Sequence, residues 1–437
     1  MTIHKHTLSF ALFLFVFLLG SSSSLQAQAP EIKKIEKSFA SKSELSIEHR
    51  YGPLTVLPAT DGKISITGTL YGEAAEAEDL ELLRRYFEFE VQETGSTLEV
   101  ITHFKVRNWN SRNGVTKLEF QDGTRTGKLR NLRIEAIVRV PSATKLSVSN
   151  KYDEIRIENG LNNDLHLNVY SGRMVVGDIN GKLVVESKYS KGSIGNFGDG
   201  TLELYDCDLQ FGNGKTVKLT SKYSELEMGS FDNMDADTYD DKISWKTIKG
   251  ELTLQDKYSE FKIGRFNNGR LDIYDADIVS DGGNELLVKS KYSDFTLKEV
   301  GRLSFENSYD DNVKAERVGS FSSTSKYTEY EFGNLRNKIY LRSYDDELKI
   351  DQMDGPLEGI DFEGKYTDLK IVLPNNTEFQ LEVNMTYGDF KYPESRFESQ
   401  IYKEKNDRLE MNGKTKGATD SSPKIKIVAY DGDISIQ

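Results

Sequence analysis

Apolar and polar residues alternate with a period of two over most of the chain, and the alternation breaks at regular intervals. Leu219-x-Ser221-Lys222-Tyr223 is followed by Leu226-x-Met228-Gly229, and Leu271-x-Ile273-Tyr274-Asp275 by Ile278. Period-two alternation predicts half-buried strands, and the slip of inward parity between Tyr223 and Leu226 predicts a corner there. The unit recurs. Lys-Tyr stands at 151–152, 188–189, 222–223, 257–258, 291–292, 326–327 and 365–366, with spacings of 37, 34, 35, 34, 35 and 39 residues. A second series, mostly Tyr-Asp, falls midway, at Tyr170, Tyr205, Tyr239, Tyr274, Tyr309, Tyr344 and Tyr387. Self-similarity at a fixed period marks a repeat architecture.

The half-period selects the coil. A coil as long as the full Lys-Tyr period would stack Lys on Lys and Asp on Asp, and like charges directly opposite one another destabilise a sheet. A coil of about 17 residues sets Lys opposite Tyr, and Tyr opposite Asp. The expectation is an all-β chain: a single-chain parallel β-helix, or solenoid, rising about 4.8 Å per coil to a rod of roughly 65–70 Å. A seven-bladed propeller also fits the seven Lys-Tyr copies. Its blades would be short for four strands, however, and it gives the half-period no reason to exist.

Solenoids expose unpaired backbone at their ends and need atypical caps. Residues 28–144 are read as an N-terminal cap, whose opening alternation from Glu44 to Leu70 looks like a strand hairpin or a first coil; the cap is β-rich with one helix over 73–87. There Ala74, Ala75 and Ala77 favour helix, and Leu80, Leu83 and Phe87 share a face. Residues 145–392 are the repeats. Residues 393–437 are a polar excursion followed by a closing C-terminal coil from Lys424 to Ile436.

Composition narrows the function. Among 437 residues the net charge is −13, which disfavours broad nucleic-acid binding. The lone Cys207 allows neither an internal disulfide nor a multi-thiolate metal site, and is read as a small filler. His4-Lys5-His6, the apolar run Leu8 to Gly20 and Ala27 predict a signal peptide over 1–27. No cysteine near that site offers a lipid anchor, and no later segment is apolar enough to span a membrane. Export to the periplasm or the cell surface is expected.

Four stretches carry a family likeness: Tyr51-Gly52-Pro53-Leu54-Thr55-Val56, Leu98-Glu99-Val100, Ile137-Val138-Arg139-Val140-Pro141, and Ile425-x-Ile427-x-x-Tyr430-Asp431-Gly432-Asp433-Ile434. In these the chain resembles the bacterial putative-adhesin β-solenoid family, domains of unknown function. The glycine such families often place at the bend is mostly replaced here by Ser, Thr or Asp. The resemblance implies a solenoid and brings no catalytic residues with it.

Candidate chemistry is sparse. His49, His103 and His166 are far apart, none has a second ligand at metal-site spacing, and all are read as surface or strand histidines. The acid pairs Asp206/Asp208, Asp235/Asp237, Asp240/Asp241, Asp275/Asp277, Asp310/Asp311 and Asp345/Asp346 recur near the same bends. Stacked, such pairs offer oxygen ligands to calcium; otherwise they cap the bends. A glycosidase needs two distinguished carboxyl groups across a cleft, and a regular array distinguishes none. Residues 105–133 hold eight Lys or Arg against Glu119 and Asp122, with Trp109 among them, and read as a solvated basic hairpin or an anion-binding patch.

The candidate surface is a ladder: Lys188, Tyr189, Lys222, Tyr223, Lys257, Tyr258, Lys291, Tyr292, Tyr239, Asp240, Tyr274, Asp275, Tyr344 and Asp345. Its aromatic and cation–π contacts would rigidify the rod, or its rings would stack on sugars. The expected function is an exported, monomeric, adhesin-like or scaffold solenoid that displays a long repetitive face to an envelope protein or glycan, without catalysis and without a cofactor other than calcium. The alternative is a carbohydrate-active or glycan-binding β-helix, which would break the repeat with a loop-walled cleft.

Overall fold

The computed structural model describes residues 29–158 and 161–437. The predicted signal segment 1–27 lies outside them. The described chain is a β-solenoid, 68% strand and 3% helix, with coils of about 18 residues. From Leu183 to Ile339 each coil pairs in parallel with the next in steps of 17 or 18 residues. The register opposes Lys188 to Tyr205, Tyr205 to Lys222 and Lys222 to Tyr239, the interleaving that charge demands.

Each coil has two strands joined at a corner, as in Thr216–Lys222 and Glu225–Phe231. The side chains between them that point inward are apolar and sealed: Leu219, Leu226, Phe231, Phe261, Phe295, Phe305 and Phe332 are all within 1% of complete burial. Beyond Lys242 the second strand of one coil runs into the first strand of the next without a break, giving 15- and 16-residue strands such as Glu260–Tyr274 and Asp294–Tyr309.

The N-terminal end holds the first coil that the sequence allowed, and the C-terminal end departs from expectation. The stack starts before residue 145: Glu44–Arg50 and Leu54–Pro58 pair in parallel with Lys145–Lys151 and Glu154–Ile157, so a full coil sits inside the segment read as cap. Parallel pairing needs no adjacency in sequence, and the intervening chain folds beside the stack. The helix there is Ala77–Tyr86, shorter than predicted. Glu73 and Ala74 instead extend strand Ile64–Ala74 against Leu129–Val140, where ladder hydrogen bonds outweigh helix propensity.

At the other end, strand Lys424–Tyr430 does not close the stack. It lies between Gly359–Lys365 and Gln380–Thr386, parallel to both. The outermost layer is Gln380–Thr386 with the antiparallel hairpin Phe397–Lys405 and Arg408–Thr415. Strand order at a solenoid end is set by tertiary pairing, which chain order does not reveal.

Candidate functional site at the tyrosine corner

At every corner from Tyr51 to Asp431 one non-glycine residue takes the left-handed conformation. It is Tyr in the Lys-Tyr coils (Tyr189 φ 57°, Tyr223 φ 59°, Tyr258 φ 71°) and Asp in the Tyr-Asp coils (Asp206 φ 52°, Asp240 φ 53°, Asp275 φ 55°), with Ser171 (φ 52°) after Tyr170; Tyr387 (φ 63°), counted in the midway series by its spacing, is itself a corner residue. This backbone makes the sharp turn and slips the inward parity. Two outward columns result. The strand-end column alternates Lys and Tyr, and the corner column alternates Tyr and Asp.

The tyrosines of the two columns interlock. From Tyr152 to Tyr366, then through Tyr430 to Tyr387, neighbouring rings meet edge to face. Their centroids are 5.3–5.9 Å apart and their planes 75–87° apart. At the N-terminal end Tyr51 stacks on Tyr152, and Trp109 of the basic hairpin lies flat on Tyr51 at 3.7 Å. Each edge-to-face pair contributes about 0.5–1.5 kcal/mol beyond its buried area. The ridge still faces solvent: the tyrosines of the Lys-Tyr coils are 41–53% exposed. Packing against neighbouring rings raises the phenol pKa of Tyr189, Tyr223, Tyr258, Tyr292 and Tyr327, so their hydroxyls stay protonated at neutral pH.

All fourteen candidate residues therefore come together on one corner. Lys188, Lys222, Lys257 and Lys291 share the strand-end column with Tyr239, Tyr274 and Tyr344. Tyr189, Tyr223, Tyr258 and Tyr292 share the corner column with Asp240, Asp275 and Asp345. Lysine contacts to the rings are secondary: Lys222 Nζ is 5.9 Å from the Tyr239 centroid and Lys365 Nζ 4.9 Å from that of Tyr366. Grooves flank the ridge. One of about 630 Å³ runs along Lys151, Tyr170, Lys188 and Tyr205, and one of about 760 Å³ along Tyr189, Asp206, Asp208 and Tyr223.

Under the ridge is a polar seam that sequence reading missed. After each Lys-Tyr stands Ser or Thr, from Ser190 to Thr367. These hydroxyls turn inward and, except at Ser259, donate to the carbonyl two residues back, as Ser224 does to Lys222 (3.0 Å) and Thr328 to Lys326 (3.1 Å); Ser259 donates to Asp256 Oδ1 (2.6 Å). They accept from the preceding coil, where Cys207, Asp241 and Ala276 donate their backbone N–H to Ser224, Ser259 and Ser293. The residue replacing the expected glycine thus closes the corner's hydrogen bonds.

The acid pairs divide. Asp240, Asp310 and Asp345 face solvent, but Asp241, Asp311 and Asp346 are buried. The parity slip at the left-handed residue sends consecutive aspartates to opposite sides, so these three pairs cannot chelate one ion jointly. Asp311 accepts four hydrogen bonds, from Ser290 Oγ (3.0 Å), Ser293 N (2.9 Å), Ser308 Oγ (2.5 Å) and Tyr309 N (3.2 Å). Burial pushes Asp241 and Asp346 up to about 6. Among the described residues no three His, Cys, Asp or Glu side chains gather as a metal would require.

Two of the histidines are buried: His49 is a strand histidine, within Glu44–Arg50, and His103, off the strands, departs from the surface-or-strand reading. His49 is sealed in the cap, accepting from Thr102 Oγ1 (2.7 Å) and donating to Gly52 O (3.0 Å), and burial lowers it to about 4, hence neutral. His103 lies between Phe104 O and Glu48. Both serve the coil that starts the stack. His166 stays on a strand face beside Glu186.

Elsewhere on the rod several charges are paired from coil to coil: Lys298 with Asp281, Arg302 with Glu285, Arg317 with Glu299, Lys349 with Glu331. The column beyond the corner aspartates differs. Glu260, Asp277 and Asp294 stand in register, as do Glu329, Glu347 and Asp368. Among the described residues these six, with Asp275, Asp310 and Asp345 beside them, make no ion pair. Asp277 is held above the usual carboxylate range by partial burial and then by Asp294, Glu260 and Asp275.

No curated protein matches the chain. Among solved structures it is similar to a putative cell adhesion protein from Clostridium sporogenes, 9% identical over 92% of this chain and 99% of that one, with a TM-score of 0.17. It is also similar to a putative adhesin from Bacteroides fragilis (14% identity, 71% and 97% covered, TM-score 0.23). A third is a putative lipid binding protein from Parabacteroides distasonis (9%, 76% and 96%, 0.19). At such scores the fold rests on the strand pairing above. The family model for Toastrack DUF4097 matches residues 42–437, which include every coil and both ends of the ridge, and the chain belongs to that family of β-solenoids.

Proposed function

We propose that this chain is an exported, adhesin-like scaffold that binds an envelope protein or glycan along the tyrosine corner and performs no catalysis. One observation supports this most: the ridge runs unbroken from coil to coil and leaves its rings about half exposed, although the interior beneath it changes from coil to coil. The apolar segment Leu8 to Gly20 in the sequence supports the export part of this reading. Among the described residues no helix is long and apolar enough to cross a membrane. Exposed aromatic rings with hydroxyls also suit sugar faces, which keeps a glycan-binding β-helix as the second reading.

The test is capture. The mature chain and a Y258S/Y292S/Y327S variant are presented to a glycan array and to envelope extracts, with calcium and with chelator, while products are followed on the same glycans. Binding by the parent that the variant loses supports the ridge. Equal binding by both removes it, and turnover ends the non-catalytic reading.

A further inference from the structure

The ridge has two unlike sides. Toward the strand-end column each tyrosine meets lysine. Toward the corner column it meets aspartate, backed by a second file of carboxylates in which Glu260, Asp277 and Asp294, then Glu329, Glu347 and Asp368, oppose one another in register. Like charges so placed destabilise a sheet. Elsewhere such contacts are isolated, as Glu186 opposite Glu203, and many acids instead pair with a base on the next coil, as Asp281, Glu285 and Glu299 do. Here Lys242, opposite Glu260, is the one base in the file next to these acids, and from Asp277 on the acids oppose one another beside the continuous ring ladder.

We propose that the tyrosine ridge, on its carboxylate side, is the docking track for an extended, Lys/Arg-rich segment of a partner polypeptide. The proposal rests on the scaffold reading above and names the partner's chemistry. Guanidinium and ammonium groups both pair with carboxylates and lie over tyrosine rings, so a basic side chain uses the two features at once. Their long flexible stems absorb the mismatch between the spacing of an extended peptide and the roughly 4.8 Å rise of the coils, which a stiff polymer would accumulate. Partner cations would also lift the repulsion among Glu260, Asp277 and Asp294.

The experiment is a fluorescence-anisotropy titration of a labelled oligo-arginine peptide with the mature chain, at low and at physiological salt. Three variants are compared: D275N/D277N/D294N/D310N on the track, D232N/D281N/E285Q/E299Q with the same charge change on paired sites elsewhere, and Y258S/Y292S/Y327S on the ridge. The track variant is expected to bind about tenfold more weakly, the ridge variant several-fold more weakly, and the paired-site variant within about twofold of the parent. Equal weakening by both charge variants reduces the effect to net charge and overturns the proposal. Absence of peptide binding at low salt overturns it too. Calcium that binds the parent, misses the track variant and displaces the peptide completely would make the strip a cation site instead. If the parent captures an envelope partner through the ridge while the peptide result is negative, the scaffold reading stands and only the basic partner falls.

Discussion

The corners at Ile273–Ala276 and Ser308–Asp311 show solvent the same Tyr-Asp pair and show the interior opposite chemistries. Inside the first are Ile273 and Ala276, both within 3% of complete burial. Inside the second, Asp311 gathers four donors. Apolar residues come together, as Leu204 does with Cys207, and polar ones come together, as Thr238 does with Asp241. Either solution turns the corner, since each satisfies its own buried groups. The outside does not vary with the inside. A pattern held constant while its support changes points to a demand made at the surface.

The sharpest break in that comparison is D311A, which strands two backbone N–H groups and the Ser290 hydroxyl in the interior and leaves Ser308 only its contact with Thr328. We expect a loss of about 3 kcal/mol in denaturant unfolding, with D311A/S308V, an approach to the apolar corner, recovering at least half of it. The pH dependence comes next. Asp241 and Asp346 hold their protons up to about 6, above the ordinary aspartate value near 4. The folded chain thus binds protons that the unfolded chain has released, and their contribution to stability is greatest at low pH and declines as pH rises from about 4 through about 6. The difference in thermal midpoint between the parent and D241N/D346N should shift in the parent's favour on acidification, by an equivalent of about 2–3 kcal/mol for each group. A difference that is flat from pH 4 to 7 would contradict this.

On the outer side the effects are smaller. Y274S removes the contacts of Tyr274 with Tyr258 (5.6 Å) and Tyr292 (5.4 Å), and should cost about 1–2 kcal/mol, read as faster amide exchange in the three coils concerned. D275G is the mildest. Glycine relieves the left-handed backbone of Asp275 and loosens the unfolded chain, so the two effects offset to within about 0.5 kcal/mol. A large loss there would mean the exposed carboxylate supports the fold, and would undo the separation of outside from inside.

The period, the coil and the Lys-opposite-Tyr register were legible because a solenoid writes its stacking into sequence spacing, and charge excludes the longer coil. The ladder residues were legible for the same reason. Asp241, Asp311 and Asp346 were not, because apolar residues mark both sides of the parity slip in the Lys-Tyr coils, whereas in these Tyr-Asp coils two consecutive aspartates straddle it and look alike in sequence. The Ser or Thr after each Lys-Tyr was visible, but its role appears only once the preceding coil's N–H is known. The burial of His49 depends on Thr102 and Gly52, brought together by tertiary pairing alone.

The placement of Lys424–Tyr430 between Gly359–Lys365 and Gln380–Thr386 has a kinetic side. Gln380–Thr386 meets Lys424–Tyr430 in the register in which Gly359–Lys365 also meets it, and it carries the same apolar alternation. In a chain emerging from its N-terminus, 380–386 therefore reaches the open edge of 359–365 first. Native assembly then requires that occupant to be displaced, since the hairpin 397–415 pairs along the opposite edge of 380–386 and leaves the contested edge open. The rate of completing the rod is then set at this end by a contest between two interchangeable strands.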